Sequence, residues 1–301
     1  MKSIEKKSLA YYGGNKSILY KKPHYKWPPD RSYVKKEFSD NLLYEKNKTG
    51  YPKVVEKLEL DFKNIFKAKF CISTNSGTSA LFASFYSLKL NPEDEIIVPN
   101  ITFHATATPL LNLNCKIVFA DCDLDTGNIS LKDISKKISN KTKAVVVTHL
   151  CGHPCNMIGL KKILKDKKIK IIEDCSHAHL SKINNKLVGT FGDMAIFSMD
   201  TNKILSVGEG GILILKNKKH YIRALSILDF GERLFHENKK NKSNELLESG
   251  RGFKNRIHPY AAFLASKELK KLNLYIKERH KKLNYLSKKL ENIPGISPPK
   301  T

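Results

Sequence analysis

Apolar residues fall into two alternating patterns from about residue 51 onward. Over Pro52–Lys67, the positions Val55, Leu58, Leu60, Phe62, Ile65 and Phe66 supply an apolar stripe at helical spacing, which predicts an amphipathic helix. From residue 69 the pattern changes to short apolar runs: Phe70–Ile72, Glu95–Val98, Ile117–Ala120, Ala144–Thr148, Ile169–Ile172, Met194–Phe197 and Gly211–Leu215. Helical segments or loops separate them. Buried runs of this kind interleaved with helices predict an α/β domain with a mainly parallel mixed sheet flanked by helices, in which ligands sit at the carboxyl ends of the strands. Residues 218–250 read as a helix passing into a polar loop from His236 to Ser249, and 259–292 as one or two Lys-rich amphipathic helices. Residues 1–50, rich in Lys, Tyr and Pro with little periodicity, read as an irregular N-terminal arm.

The chain has 301 residues, 41% hydrophobic and 28% charged, so a sizeable core is available and wholesale disorder, collagen and coiled coil are excluded. Its formal net charge is +25, yet only six of the 54 basic residues are Arg. Readers of phosphates and bases rely on bidentate Arg forks. A Lys-rich solvated surface is the plain account of the charge, and steering of acidic small molecules the sharper one. No binding motif accompanies the charge, so no specific nucleic-acid partner is expected. Neither a membrane span nor a secretory signal is expected, and six widely spaced cysteines suit reduced thiols in the cytoplasm.

Chemistry concentrates where the runs end. After the first comes Thr74-Asn75-Ser76-Gly77-Thr78-Ser79, a small-residue turn entering a helix, which is either an anion site suited to phosphate or an ordinary N-cap. Phe103, after the second run, is either core or a face for a flat ring. The run Ile169–Ile172 leads directly into Glu173-Asp174-Cys175-Ser176-His177-Ala178-His179. Carboxylates and imidazoles there are costly to bury without partners, so a functional role competes with helix capping by Asp174. Beyond Phe197-Ser198, Lys203 precedes the Gly-rich Gly208-Glu209-Gly210-Gly211, a setting that suits a partly desolvated, nucleophilic amine, although in a chain with 48 lysines position alone does not single it out. The alternation His149, Cys151, His153, Cys155 matches no common zinc spacing and is broken by Gly152 and Pro154, so no metal is expected.

These segments together resemble the DegT/DnrJ/StrS family of pyridoxal-phosphate sugar aminotransferases, which have the fold type I architecture. The likeness runs from Gly13-Gly14 and Trp27-Pro28 through Asn75–Leu81, Pro99–Thr106, Asp121–Asn128, His149–Met157, Glu173–His179 and Phe197–Gly211 to Gly252-Phe253-Lys254-Asn255-Arg256-Ile257-His258-Pro259. It implies that Lys203 carries the cofactor covalently, that Asp174 keeps the pyridine nitrogen protonated, and that His177 lies beside the ring and Phe103 stacks on it. Thr78, Ser79 and Ser198 match the phosphate contacts. Lys254 stands where many members have an Asn that reaches across a homodimer to the partner's phosphate.

The resemblance further implies a large cofactor-binding domain over 51–262, the start of a C-terminal small domain over 263–301, and a cytoplasmic homodimer with sites at its interface. The implied reaction is transfer of an amino group, from glutamate, to a nucleotide-linked keto-sugar in cell-surface glycan or secondary-metabolite sugar biosynthesis. Related dehydratases carry His where this chain has Lys203, which argues for transamination. The alternative is a cofactor-binding relative that is catalytically incompetent or regulatory, suggested by the end of the chain at Thr301.

Overall fold

A computed structural model describes residues 45–47, 50–237 and 252–298. The expected arm over 1–50 lies outside the described residues except at 45–47 and 50, and most of the expected polar loop, 238–249, also lies outside them. The described chain opens with α1 (Lys53–Phe66), which buries Val54, Val55, Leu58, Phe62 and Phe66 and ends when Lys67 turns left-handed, at φ 48°. Then come β1 (Phe70–Thr74), α2 (Gly77–Ser87), β2 (Glu95–Pro99), a 3₁₀ turn (His104–Thr106), α3 (Thr108–Asn112) and β3 (Lys116–Ala120). Next are α4 (Leu131–Lys137), β4 (Thr142–Thr148), α5 (Met157–Ile163) and β5 (Lys170–Asp174). A two-stranded hairpin of β6 (Lys182–Ile183) and β7 (Lys186–Leu187) precedes β8 (Met194–Ser198) and β9 (Gly211–Leu215). Three helices close the described chain: α6 (Lys218–Leu228), α7 (Glu232–Glu237) and α8 (Pro259–Leu290).

Seven strands form one sheet in the order β1-β9-β8-β5-β4-β2-β3, so every expected strand is present. Strands β3, β2, β4, β5 and β8 run parallel, and β9 lies antiparallel between β8 and β1. Alternate residues of the central strands serve different cores. Ile96, Val98, Val146, Ile172, Ile196 and Leu213 pack with Leu81 and Phe85 of α2 and Leu225 of α6. Ile97, Val145, Val147 and Ile171 pack instead with Ile134 of α4 and with Met157 and Leu160 of α5. Both faces being covered, the strands read as continuous apolar runs.

Two elements differ from the sequence expectation. The helix expected from residue 218 is broken after Leu228 because Phe230 and Gly231 adopt positive φ, 50° and 78°, so α7 starts afresh at Glu232. The β6–β7 hairpin was not expected. Its turn residues Asn184 and Asn185 have φ of 48° and 63°, a left-handed pair that Asn tolerates. Residues 259–290 are one helix, with the His258 side chain capping it and Pro259 in its first turn. The boundary expected at 262/263 thus falls inside continuous helix. No helix among the described residues is long and apolar enough to cross a membrane.

Candidate active site

The carboxyl ends of β1, β5 and β8 face one edge of the sheet, and the start of antiparallel β9 joins them there. At the end of β1, Ser76 caps α2 by accepting from the Ser79 N–H at 3.1 Å. Ala80 N–H turns back to Ser76 carbonyl, whereas the N–H groups of Gly77 and Thr78 make no hydrogen bond among the described residues. Free amides at the positive end of an 11-residue helix suit an anion. Gly77 stands so close to Ser198 that an added Cβ would lie 2.9 Å from the Ser198 Cβ, so Ser198 borders the same turn. Ser79 is already engaged, giving its proton to Asn75 Oδ1 at 2.7 Å and lying 3.0 Å from Ser76 Oγ. It would have to release Asn75 before donating to a phosphate.

Asp174 is the last residue of β5 and is 4% exposed. Turns, not a helix, follow it, so it caps no helix. Its Oδ1 accepts from Ser176 N–H at 3.0 Å and its Oδ2 from Thr106 Oγ1 at 2.9 Å. Since the single Thr106 proton goes to Asp174, Thr106 must accept from Thr102 at 2.9 Å, and Thr102 in turn from Thr148 at 2.9 Å. A line of hydroxyls therefore orients the carboxylate and leaves it acceptor capacity for one more donor. Sequence reasoning included Thr106 in a matching segment without seeing this role.

Three basic groups act on one another at this edge, and one of them, His177, also feels the Asp174 charge. Lys203 lies in the β8–β9 connection, partly exposed, and its ammonium has no hydrogen bond or ion pair among the described residues. His177 is exposed; partial desolvation of its ring, then the Lys203 charge, lower its pKa, with Asp174 opposing. His179 is 3% exposed, with both ring nitrogens lacking a hydrogen bond. Burial, then the charges of Lys203, His177 and Arg279, push its pKa down to about 3, so it is neutral. Its ring centroid lies 5.4 Å from that of Phe197, which packs in turn on Phe66 at 4.6 Å. His179 entered the sequence reading only as one imidazole of the Glu173–His179 segment, with no role of its own, and Arg279 not at all. Both surface through proximity that only the folded chain creates.

The remaining candidates sit at the margin. Phe103 is 62% exposed, its ring 4.1 Å from that of His104. Lys254 is exposed on a stretch held to the body by Phe253 N–H donating to Ile227 O and Asn255 N–H to Leu228 O. Asn75 N–H donates to Asn255 O, which ties that stretch to the turn before α2.

Of the four alternating His and Cys residues, His149 and Cys155 meet, because His149 Nδ1 accepts from Cys155 N–H at 3.0 Å. Nε2 must then carry the proton, which it gives to Glu173 Oε2 at 3.2 Å. Glu173 also accepts from the N–H groups of Gly189 and Gly192. His149, Glu173 and Cys175 are fully buried and their ligand atoms lie within 4.8 Å of one another, but hydrogen bonds already claim the imidazole and the carboxylate, and burial raises the Cys175 thiol pKa far from thiolate.

Pyridoxal phosphate fits the residues present. A buried carboxylate with spare acceptor capacity, an unpaired lysine, a helix N-terminus with free amides, and a glycine pressed against Ser198 converge at one sheet edge. Its chemistry needs an anion partner for the ring nitrogen, an amine, and a phosphate cup.

The sequence profile of the DegT/DnrJ/EryC1/StrS aminotransferase family matches residues 35–301. Among similar proteins, GDP-perosamine synthase of Escherichia coli O157:H7 is 34% identical over 199 residues, 66% of this chain and 55% of that protein. An aminotransferase of Psychrobacter cryohalolentis superposes with a TM-score of 0.73 at 28% identity, covering 83% of this chain and 64% of that one. The GDP-4-keto-6-deoxy-D-mannose-3-dehydratase of E. coli, solved with bound hydrated pyridoxal phosphate, gives 0.72 at 28%, covering 80% and 66%. The chain spans about half to two thirds of the length of these relatives. The fold is that of the fold type I pyridoxal-phosphate aminotransferases, and the chain belongs to the DegT/DnrJ/EryC1/StrS aminotransferase family.

Proposed function

We propose that this chain forms the cofactor-binding part of an aminotransferase that passes an amino group from glutamate to a keto-sugar carried on a nucleoside diphosphate. The observation that carries the reading is the buried, hydroxyl-oriented Asp174 at the end of β5 with an unpaired Lys203 close enough to share its influence on His177. Relatives named as a GDP-perosamine synthase and a GDP-linked keto-sugar dehydratase support the substrate class. Lysine rather than histidine at position 203 favours amino transfer over dehydration.

Pyridoxal phosphate, when bound, supplies an electron sink for the charge left at the donor's Cα. Asp174 holds a proton on the ring nitrogen, with Thr106 fixing the carboxylate's angle. Lys203 Nζ takes the proton from the donor's Cα and returns one at the keto carbon of the acceptor. His177 flanks the ring, its pKa lowered by partial desolvation and then by the Lys203 charge. The N–H groups of Gly77 and Thr78 and the hydroxyl of Ser198 bind the phosphate, with the Ser79 hydroxyl joining if it turns from Asn75. The exposed Phe103 ring offers a stacking face, and the Lys254 ammonium serves a second subunit's phosphate as a point charge.

Pyridoxal-phosphate-loaded protein should show a visible cofactor band and aminate nucleotide-linked 3-keto or 4-keto sugars with glutamate, read by product mass. Lys203→Ala should lose the band and lower turnover by about a thousandfold or more. A variant that kept turning over, or a wild-type chain that held no pyridoxal phosphate, would refute the assignment.

A further inference from the structure

The opposite edge of the sheet carries a second cleft. It lies where β1 and β8 begin and β9 ends, between the C-terminus of α1 and the β6–β7 hairpin. One five-residue strand separates it from the active-site edge, a distance of about 16 Å. Its volume is about 570 Å³, within the range of small-molecule sites.

The floor and the rim differ in chemistry. Phe66, Leu187, Met194, Ile214 and Leu215 make an apolar floor. Lys67 and Lys69 stand on one wall, Lys186 and Lys216 on the other. None of the four has a carboxylate partner among the described residues. The lone acidic lining residue, Asp193, is already spent on Ile171 N–H at 3.0 Å and Lys170 Nζ at 3.1 Å. Lys186 is held over the Phe191 ring, Nζ 4.7 Å from its centroid. Lys216 Nζ is drawn down onto the carbonyls of Thr190 and Phe191 at 2.9 and 3.2 Å. Although Lys216 as a residue is exposed, that retreat partly desolvates its ammonium and lowers its pKa. Two of the four cations are thus preplaced by contacts that include no carboxylate hydrogen bond, although Glu173 and Asp193 act on Lys216 from a distance.

We propose that this cleft is a binding site, distinct from the active site, for a small anionic amphiphile: a carboxylate or phosphate group on a short apolar body. The head would meet the four lysines and the body would cover the floor. A second copy of this chain, itself strongly cationic at +25, is a poor match for such a rim.

Titration calorimetry on the pyridoxal-phosphate-loaded full chain tests this with hexyl phosphate, hexanoate, hexanol and inorganic phosphate. Saturable one-site binding of an acid-bearing probe, with hexanol and inorganic phosphate at least about tenfold weaker, is the expected result. Whether hexanoate or hexyl phosphate binds tighter identifies the head group. The combined variant Lys67→Gln, Lys69→Gln, Lys186→Gln should weaken that binding about tenfold while leaving the visible cofactor band unchanged. Hexanol binding as tightly as the acids, full affinity for inorganic phosphate alone, undiminished binding in the triple variant, or no binding by either acid would overturn the proposal.

Discussion

His179 sits in an environment far from its chemistry in water. An unfolded histidine titrates near 6.5, the folded one near 3. Above about pH 6.5 neither form is charged and nothing is lost; as the pH falls further, the unfolded chain takes a proton that the folded chain refuses. Stability therefore drains away from pH 6.5 down to about 3, by about 3 kcal/mol at pH 4. In cofactor-free protein, His179→Phe should remove that component, so its urea midpoint should fall less between pH 7 and pH 4 than the wild-type midpoint does. Gly211 makes a second residue-scale test. A Cβ there would strike the Ser76 carbonyl, which belongs to the turn that caps α2. Gly211→Ala should cost about 1–3 kcal/mol at an unchanged denaturant slope and weaken pyridoxal-phosphate binding with it. Asp174 and the Ser76–Ser79 turn drew notice because each follows an apolar run directly, whereas Lys203, one lysine among 48, stood out only through the family resemblance. The Thr106 hydroxyl that aims Asp174 was not, since the two are 68 residues apart and meet only when β2 and β5 share a sheet.

Elements were legible in proportion to how continuous their apolar runs are. All seven sheet strands are found, because burial on both faces keeps the inner runs β2, β8 and β9 almost wholly apolar, and even the partly exposed edge strand β3 keeps Ile117, Val118, Phe119 and Ala120 in a row. The β6–β7 hairpin escaped notice because its strands are two residues each, although the Asn184-Asn185 turn signal stood in view. What holds elements to one another was illegible. Glu173 binds the β4 end through His149 and the segment before β8 through Gly189 and Gly192. Glu173→Gln keeps the shape but turns an N–H₂ toward backbone N–H donors, and should cost about 3 kcal/mol or more by urea unfolding. Glu59 likewise ties α1 to β1 through Ser73 N–H and to α7 through a bidentate pair with Arg233, at 2.9 and 2.8 Å. Glu59→Ala, which takes away the bidentate carboxylate partner of Arg233 and the acceptor of Ser73 N–H, should cost about 3 kcal/mol.

At the scale of the whole molecule, the net charge of +25 works against compactness through self-repulsion. Melting temperature should rise as NaCl is raised from about 0.01 to about 0.15 M, because the screening length shortens from about 30 to about 8 Å. A melting temperature that fell over that range would show that attractive ion pairs outweigh the repulsion. The order of the sheet carries another consequence. Strand β1 pairs with none of the strands that come soon after it but with β9, Phe70 against Leu215, about 145 residues later. On a ribosome adding roughly 5–20 residues per second, β1 waits on the order of ten seconds for its neighbour. During that wait Cys71 and Ile72, both buried in the finished sheet, have no strand beside them, and the turn that leads into α2 has not met Gly211. The site at the end of β1 is thus among the last features of this fold to be assembled, although its residues are among the first to be made.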